Sequence, residues 1–226
     1  MIYQAHDETV VIHIPTSVNR IGIMLSGGLD STLLLYMLCK EIWESQQLVT
    51  IKPITWKRPY PLDFPQDWNV AKAQHIINII QNIFPNIIEP QYVFIPKFSS
   101  APLSATEEEN EWNRIHKIGR EQFGIDTYYY GVTANPPRLE MEKFGMMEGR
   151  QQHRDKELMN PARYTDPFNN LDKQGIAALY HELGLMEKLF PSTWSCEGWA
   201  NSTNNFKVPC EKCWWCKEKH WGFGEF

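Results

Sequence analysis

Basic charge is scarce in this chain. Its 226 residues carry 22 Lys and Arg against 27 Asp and Glu, a formal net charge of -5 with the histidines neutral. No broad cationic surface is therefore available to hold a nucleic-acid backbone, and nucleic acid is disfavoured as the direct substrate. Long apolar runs are missing as well. Nothing approaches the roughly 20 residues that a helix needs to cross a bilayer, and the segment 1–14 has no basic start followed by an apolar stretch. The chain reads as cytoplasmic, with no membrane partner. Cysteine is nearly absent from the first 195 residues, where only Cys39 occurs; the other four crowd between 196 and 216. In a reducing compartment that distribution excludes a disulfide scaffold and favours a metal site.

The length suits one α/β domain with a small appendage, and an apolar share of 42% is enough for one sizeable core. Strand-like runs alternate with helical patterns, which predicts a doubly wound parallel sheet with crossover helices. Strands are expected over 9–14, 20–25, 49–56, 91–95 and 126–132. Helices are expected over 31–43, 68–83, 106–123 and 171–185. Pro59, Pro61 and Pro65 punctuate a loop. The run Glu107-Glu108-Glu109 reads as a solvated helix start. Thr133-Ala134-Asn135 follows a strand, at the sheet edge where open α/β folds place ligands. The stretch 136–161 is polar and Met-rich and yields no assignment; no role is given to His153 or Arg154. The expected division is a main domain over 1–190 and a cysteine-bearing tail over 191–226.

Ser26-Gly27-Gly28-Leu29-Asp30-Ser31 lies between a buried strand and a helix, and that context gives it meaning. A glycine turn at this junction aims several backbone N–H groups at one point, at the positive end of the helix. Gly27 and Gly28 allow close approach and positive φ, and Ser26 and Ser31 add hydroxyl donors. Asp30 would repel phosphate alone, so its expected work is to orient the loop or help hold Mg2+. The loop lacks the Gly-Lys-Ser/Thr ending of a Walker A motif. A cradle for departing pyrophosphate fits it better; a plain tight turn before a core helix is the bland alternative.

Cys196, Cys210, Cys213 and Cys216 form the pattern Cys-x13-Cys-x2-Cys-x2-Cys. Four thiolates can close a tetrahedral Zn2+ site of structural type, with no open position for water. An iron–sulfur cluster and unligated thiols are the rivals. Cys39, inside an apolar helix, reads as a buried inert thiol. With no free reactive cysteine evident, sulfur transfer is disfavoured.

At Ser26–Ser31 the chain resembles the PP-loop ATP pyrophosphatases, whose signature is Ser-Gly-Gly-x-Asp-Ser. The resemblance implies a Rossmann-like, HUP-type sheet, ATP at the switch point, and AMP plus pyrophosphate as products. The tail narrows it. Thr193-Trp194-Ser195-Cys196 before Cys210, Cys213 and Cys216 is similar to 7-cyano-7-deazaguanine synthase, in which four cysteines bind zinc. Asp166-Pro167-Phe168, Leu171-Asp172-Lys173 and Glu182-Leu183-Gly184 match that family's approach to the tail. The middle departs from it: Gly131 to Arg138 contains no Tyr-Pro-Asp-Cys, and Trp112-Asn113-Arg114 stands where Pro-Gly-Arg-Asn is usual.

That resemblance implies ATP-dependent conversion of 7-carboxy-7-deazaguanine and ammonia to the nitrile, by way of an acyl-adenylate and an amide. Implied cofactors are ATP, Mg2+ and Zn2+; the partners are the small carboxylate and ammonia, and a homodimer is compatible with them. Lys173 is the candidate for neutralising charge on the phosphates, against a reading as an ordinary solvated lysine. Arg138 and Asn135 are the candidates for substrate contact, although an exposed loop arginine is equally ordinary. Two further readings stay open. One is an adenylating enzyme that stops at the amide or joins its substrate to another amine. The other is an RNA-binding tail that uses Trp199, Trp214, Trp215 and Trp221 with Lys207, Lys212, Lys217 and Lys219.

Overall fold

The computed structural model describes residues 1–57, 68–97, 104–148, 150–160, 165–198 and 202–226. The prolines at 59, 61 and 65 and Trp199 lie outside them. By compactness the chain divides into two units, Met1–His13 together with Gly131–Phe226, and Ile14–Tyr130.

The Ile14–Tyr130 unit carries the sheet. Strands β3 (Arg20–Met24), β4 (Thr50–Trp56), β5 (Tyr92–Phe94) and β6 (Thr127–Tyr129) are all parallel and stand in the order β5-β4-β3-β6. Helices α1 (Leu29–Ser45), α2 (Trp68–Ile83) and α3 (Ala105–Phe123) make the crossovers. The α/β doubly wound class expected from the alternation is what the chain forms. Strand order reverses between β3 and β6, so the switch point lies between their carboxyl ends.

Side-chain alternation assigns the two sheet faces. Ile54, Phe94 and Tyr128 meet Ile115 of α3, joined by Met24, Trp56 and Tyr92. Gly119 of α3 lets this layer close, since a Cβ there would fall 1.7 Å from the Tyr128 hydroxyl oxygen. Ile21, Ile23 and Ile51 are fully buried on the opposite face, where α1 and α2 pack on each other, on β3 and on β4. α1 is apolar nearly all round, with Leu33, Leu34, Leu35 and Cys39 all buried, as a helix covered on several sides must be. α3 instead has a wet face, and it starts with a reciprocal capping box between Ser104 and Glu107. That serine holds the Glu107 carboxyl below its ordinary range by side-chain and backbone hydrogen bonds, so the acidic run is a helix start.

The other unit is built differently. β1 (Ile2–Ala5) and β2 (Glu8–Val11) form a two-stranded antiparallel ribbon. The strand expected over 9–14 is thus shorter and belongs to this ribbon; its partner, four residues with Tyr3 and Ala5 facing inward, is too short to show a period. The ribbon rests on α5 (Lys173–Glu182), and α6 (Trp214–Phe223) packs along the same helix. Gly222 sets that spacing, because a Cβ there would stand 2.6 Å from the Lys173 backbone oxygen. Among its described residues the unassigned stretch contains one short helix, α4 (Arg138–Lys143), and two 3-10 turns over Gln152–Arg154 and Lys156–Leu158. Met141 and Met146 bury themselves against Trp221 there, which accounts for part of the stretch's Met content.

Candidate active site and metal centre

The phosphate-loop candidate is held at both ends. Leu25 continues β3 by donating its N–H to the Ile54 carbonyl at 2.9 Å, and its own carbonyl accepts the Thr55 hydroxyl at 2.8 Å. Thr55 is fully buried, and Gln91 donates to its oxygen at 2.7 Å. Beyond this anchor the chain turns. The Ser26 and Ser31 hydroxyls lie 3.1 Å apart, the Ser26 N–H donates to Ser31 Oγ at 3.3 Å, and the Gly28 N–H donates to Ser26 Oγ at 3.2 Å. The two serines thus fold the loop on itself.

Gly27 has φ +80°, the left-handed region, and a Cβ there would stand 2.9 Å from Lys72 Cβ and 3.1 Å from the Ala73 backbone nitrogen. Glycine is required on both counts. Gly28 is the N-cap of α1 and offers no side chain to cap it. The first turn of a helix leaves N–H groups without intrahelical partners, so this end of α1 presents donors and a positive dipole end together. Asp30 is the acidic residue of that first turn. All six loop residues therefore sit where the motif places them, directly after β3.

Trp56, Trp112 and Tyr130 were not singled out by the motif. The two indoles meet edge to face at 5.4 Å, and Trp112 meets Tyr130 at 6.3 Å, at the carboxyl ends of β4 and β6. Only the fold brings these three rings together, because 74 positions separate Trp56 from Tyr130 in the chain.

The Gly131–Phe226 part carries the other candidates. Lys173 opens α5 and is buried, so the solvated-lysine alternative does not describe it. Its ammonium lies 3.2 Å from the Thr133 hydroxyl and 4.0 Å from Glu218 of α6. Arg150 pairs with the same carboxylate and stacks on Trp214, with 4.1 Å from the guanidinium carbon to the ring centroid. Arg150, Lys173 and Glu218 side chains are each no more than 7% exposed. Arg154 donates twice to the Thr133 carbonyl, at 2.8 and 3.1 Å. Thus a residue given no role from the sequence anchors the segment after β6.

Asn135 is buried, and its amide nitrogen donates to the Gln151 carbonyl and to Asp155 Oδ1, both at 2.7 Å. Its side-chain oxygen is buried without a hydrogen-bond partner among the described residues. Arg138 is different: its side chain is 77% exposed and pairs with Glu142 one turn along α4 at 3.1 Å.

The four tail cysteines converge. Their sulfurs all lie within 4.8 Å of one another, and Cys210 and Cys216 are 3.9 Å apart. The cluster could hold a metal ion. Metal–sulfur bonds of about 2.3 Å in a tetrahedron put thiolates about 3.8 Å apart, so the spacing suits one ion; in a cluster the thiolates bind different irons and stand wider. Backbone N–H groups of Gly198 and Cys210 reach Cys196 Sγ at 3.2 Å each, and Cys213 N–H reaches Cys210 Sγ at 3.4 Å. Such donors stabilise thiolate. Hydrogen bonds from Cys196 and Cys216 drive the Cys213 thiol far below its ordinary range, and Cys196 is pushed up to about 12 by the same contact with Cys213. Sharing protons in this way is what neighbouring thiols do until a cation lets all of them ionise. Cys39 is raised well above the thiol range by burial, as an inert core thiol should be.

No protein-family model matches the chain, and no curated protein matches it. Among solved structures it is similar to the U34-tRNA thiolase NcsA from Methanococcus maripaludis with its [4Fe-4S] cluster, at 14% identity and a TM-score of 0.46, over 91% of this chain and 71% of that one. No helix among the described residues is long and apolar enough to cross a membrane.

Proposed function

We propose that this chain is a PP-loop ATP pyrophosphatase of the 7-cyano-7-deazaguanine synthase type, acting on a deazaguanine-like carboxylate with ammonia. The observation that carries the reading is the Ser26–Ser31 loop, closed on itself by two hydroxyls, with Gly27 at φ +80° directly before the Gly28 N-cap of α1. A substrate carboxylate oxygen attacks the α-phosphorus of ATP; the bond between that phosphorus and the bridging oxygen breaks, and pyrophosphate leaves. The loop's N–H groups and hydroxyls receive the charge that develops on the leaving group. Ammonia then attacks the acyl carbon, AMP departs and the spare proton goes to solvent, leaving the amide. Adenylation of the amide oxygen by a second ATP, followed by loss of AMP and two N–H protons, gives the nitrile.

Asp30 is assigned to loop orientation and to Mg2+, which prefers oxygen ligands and keeps several waters. Lys173 remains a candidate catalytic cation, its side chain positioned by Thr133 and Glu218. The Cys196, Cys210, Cys213 and Cys216 set fits one Zn2+ held for structure. The reading includes a cytoplasmic enzyme, as a monomer or homodimer.

One observation favours a neighbouring reading, in which the enzyme stops at the amide or joins the acyl group to another amine. Of the two proposed substrate contacts, Arg138 is engaged by Glu142 and Asn135 keeps only its carbonyl oxygen for a ligand. Recognition of the carboxylate would then differ from the family's. An RNA-binding tail draws less support. Lys217 donates to the Gly145 carbonyl at 3.0 Å, Lys219 lies over Phe190, and burial lowers the Lys219 ammonium below its ordinary range. Incubation with 7-carboxy-7-deazaguanine, ATP, Mg2+ and ammonia, followed by mass spectrometry, separates the readings. Nitrile supports the first and amide the second; recovery of the acid alone overturns both for this substrate.

A further inference from the structure

The opposite edge of the sheet carries a cleft that the phosphate loop does not use. Its volume is about 590 Å³, and it lies between the end of α1 and the turn that follows α2. Ile42, Trp43, Gln47, Val49, Asn86 and Ile87 are among its walls. The length of β4 separates this edge from the loop, about 20 Å. A cleft of that size suits a small organic molecule. Trp43 leans on Phe84, with ring centroids 6.3 Å apart, and is still 51% exposed.

The electrostatics of the cleft favour one sign of ligand. α1 ends at Ser45 and α2 at Ile83, so two negative dipole ends, with carbonyls that lack intrahelical partners, stand beside the same space. Neither helix has a basic residue in its last turn, where a cation would offset that charge. No charged side chain is among the described residues that line the cleft. The basic side chains on adjoining elements are engaged: Lys40 pairs with Glu44, and Arg20 and Lys52 both pair with Glu89. Gln46, Gln47 and Asn86 supply amide acceptors. The Gln47 amide oxygen is buried without a hydrogen-bond partner among the described residues, so turning it into the cleft breaks no such bond. Gln46 holds φ 53°, where glycine is usual at a helix end, and its side chain stays at the lip at a cost that glycine would avoid.

We propose that this cleft binds a small organic cation, an ammonium or guanidinium on an apolar body. The charge sits between the two helix ends and the Trp43 indole, whose face attracts cations. The body lies against Ile42, Val49 and Ile87. The site is separate from the ATP-dependent chemistry proposed above and stands whether or not that reading does.

The test titrates phenethylammonium, phenethyl alcohol and hydrocinnamate separately into the isotope-labelled protein, following backbone amide shifts by NMR, with sedimentation to record the oligomeric state. The cation should bind about fivefold to thirtyfold more tightly than the alcohol, its uncharged counterpart, through two helix ends and one indole. Its shifts should saturate and be confined to residues 42–50 and 85–87. The anion should bind more weakly than either. Trp43→Leu, at a half-exposed position, should keep its melting temperature and weaken the cation about threefold to fivefold more than the alcohol. Equal binding of cation and alcohol would overturn the proposal and leave an apolar hollow only. So would shifts that never saturate or that centre elsewhere. Leu48 is 96% exposed at the rim, and a dimer that Leu48→Glu dissociates would assign the cleft to a second copy of this chain and overturn the proposal as well.

Discussion

The two compact units place their chemistry in opposite ways. In Ile14–Tyr130 the candidate site is six consecutive residues at one strand-to-helix junction, working through backbone N–H groups and two hydroxyls. In the other unit it is assembled from distant parts: Arg150 and Lys173, the latter also bound to Thr133, around the buried Glu218 carboxylate, and cysteines 14, 17 and 20 positions after Cys196 around one another. A site made of consecutive residues survives as long as its strand and helix do. A site made of scattered residues exists only when the whole unit is folded, so removing one member should unfold structure as well as abolish chemistry.

Cys216→Ser breaks the comparison most severely. If the four sulfurs hold an ion, loss of one thiolate should take bound metal from one equivalent to near zero by elemental analysis. Metal binding can contribute on the order of 10 kcal/mol to the folding of such a site, so the melting temperature should drop by more than about 10 °C. Unchanged metal content would show that the cysteines are not its ligands. Glu218→Gln comes next. It leaves Arg150 and Lys173 buried without their shared carboxylate, and breaking a buried ion pair from one side costs about 3–5 kcal/mol. Denaturant unfolding should show that loss; a change below about 1 kcal/mol would mean that the cations find other partners.

Gly27→Ala sharpens the contrast from the other unit. Its φ of +80° and the 3.1 Å approach to the Ala73 nitrogen predict strain of about 1–3 kcal/mol. Turnover should fall at least about a hundredfold, since small misplacement of reacting groups is that costly. A stability loss no larger than that strain while turnover collapses is the expected signature of a local site. An unaffected rate would remove the loop from the reaction.

Much of this could be read before folding, and the reason is range. Ser26–Ser31 and the Cys-x2-Cys-x2-Cys run are short patterns whose chemistry is complete within a few residues. The helical character of α2 was legible from apolar spacing, because Ile76, Ile77 and Ile80 bury one face. What escaped is non-local. The buried state of Lys173 depends on Glu218, 45 positions on, and on Gly222 letting α6 approach. The stretch 136–161 has short elements fixed by Arg154 and Asn135 contacts rather than by any period. The β1–β2 ribbon is too brief to announce itself.

The smallest expected effect lies at the foot of the sheet. Asp126 accepts hydrogen bonds from the Asn19 and Arg20 N–H groups at 2.8 and 2.9 Å, and these hold its carboxyl below the ordinary value. A depressed folded-state pKa contributes stability above the unfolded value, and that contribution disappears as pH falls through the folded one. Because the carboxylate is solvent-exposed, Asp126→Asn should cost less than about 1 kcal/mol at pH 7. The difference from the unchanged protein should vanish below the ordinary carboxyl range. A difference that persists in acid would point to lost packing instead.

The central claim concerns which bond of ATP breaks. Phosphorus-31 NMR of a reaction containing ATP, Mg2+, ammonia and 7-carboxy-7-deazaguanine reads it directly. AMP and pyrophosphate should appear in equal amounts, two of each for every nitrile formed. ADP with orthophosphate would contradict the account at its first step.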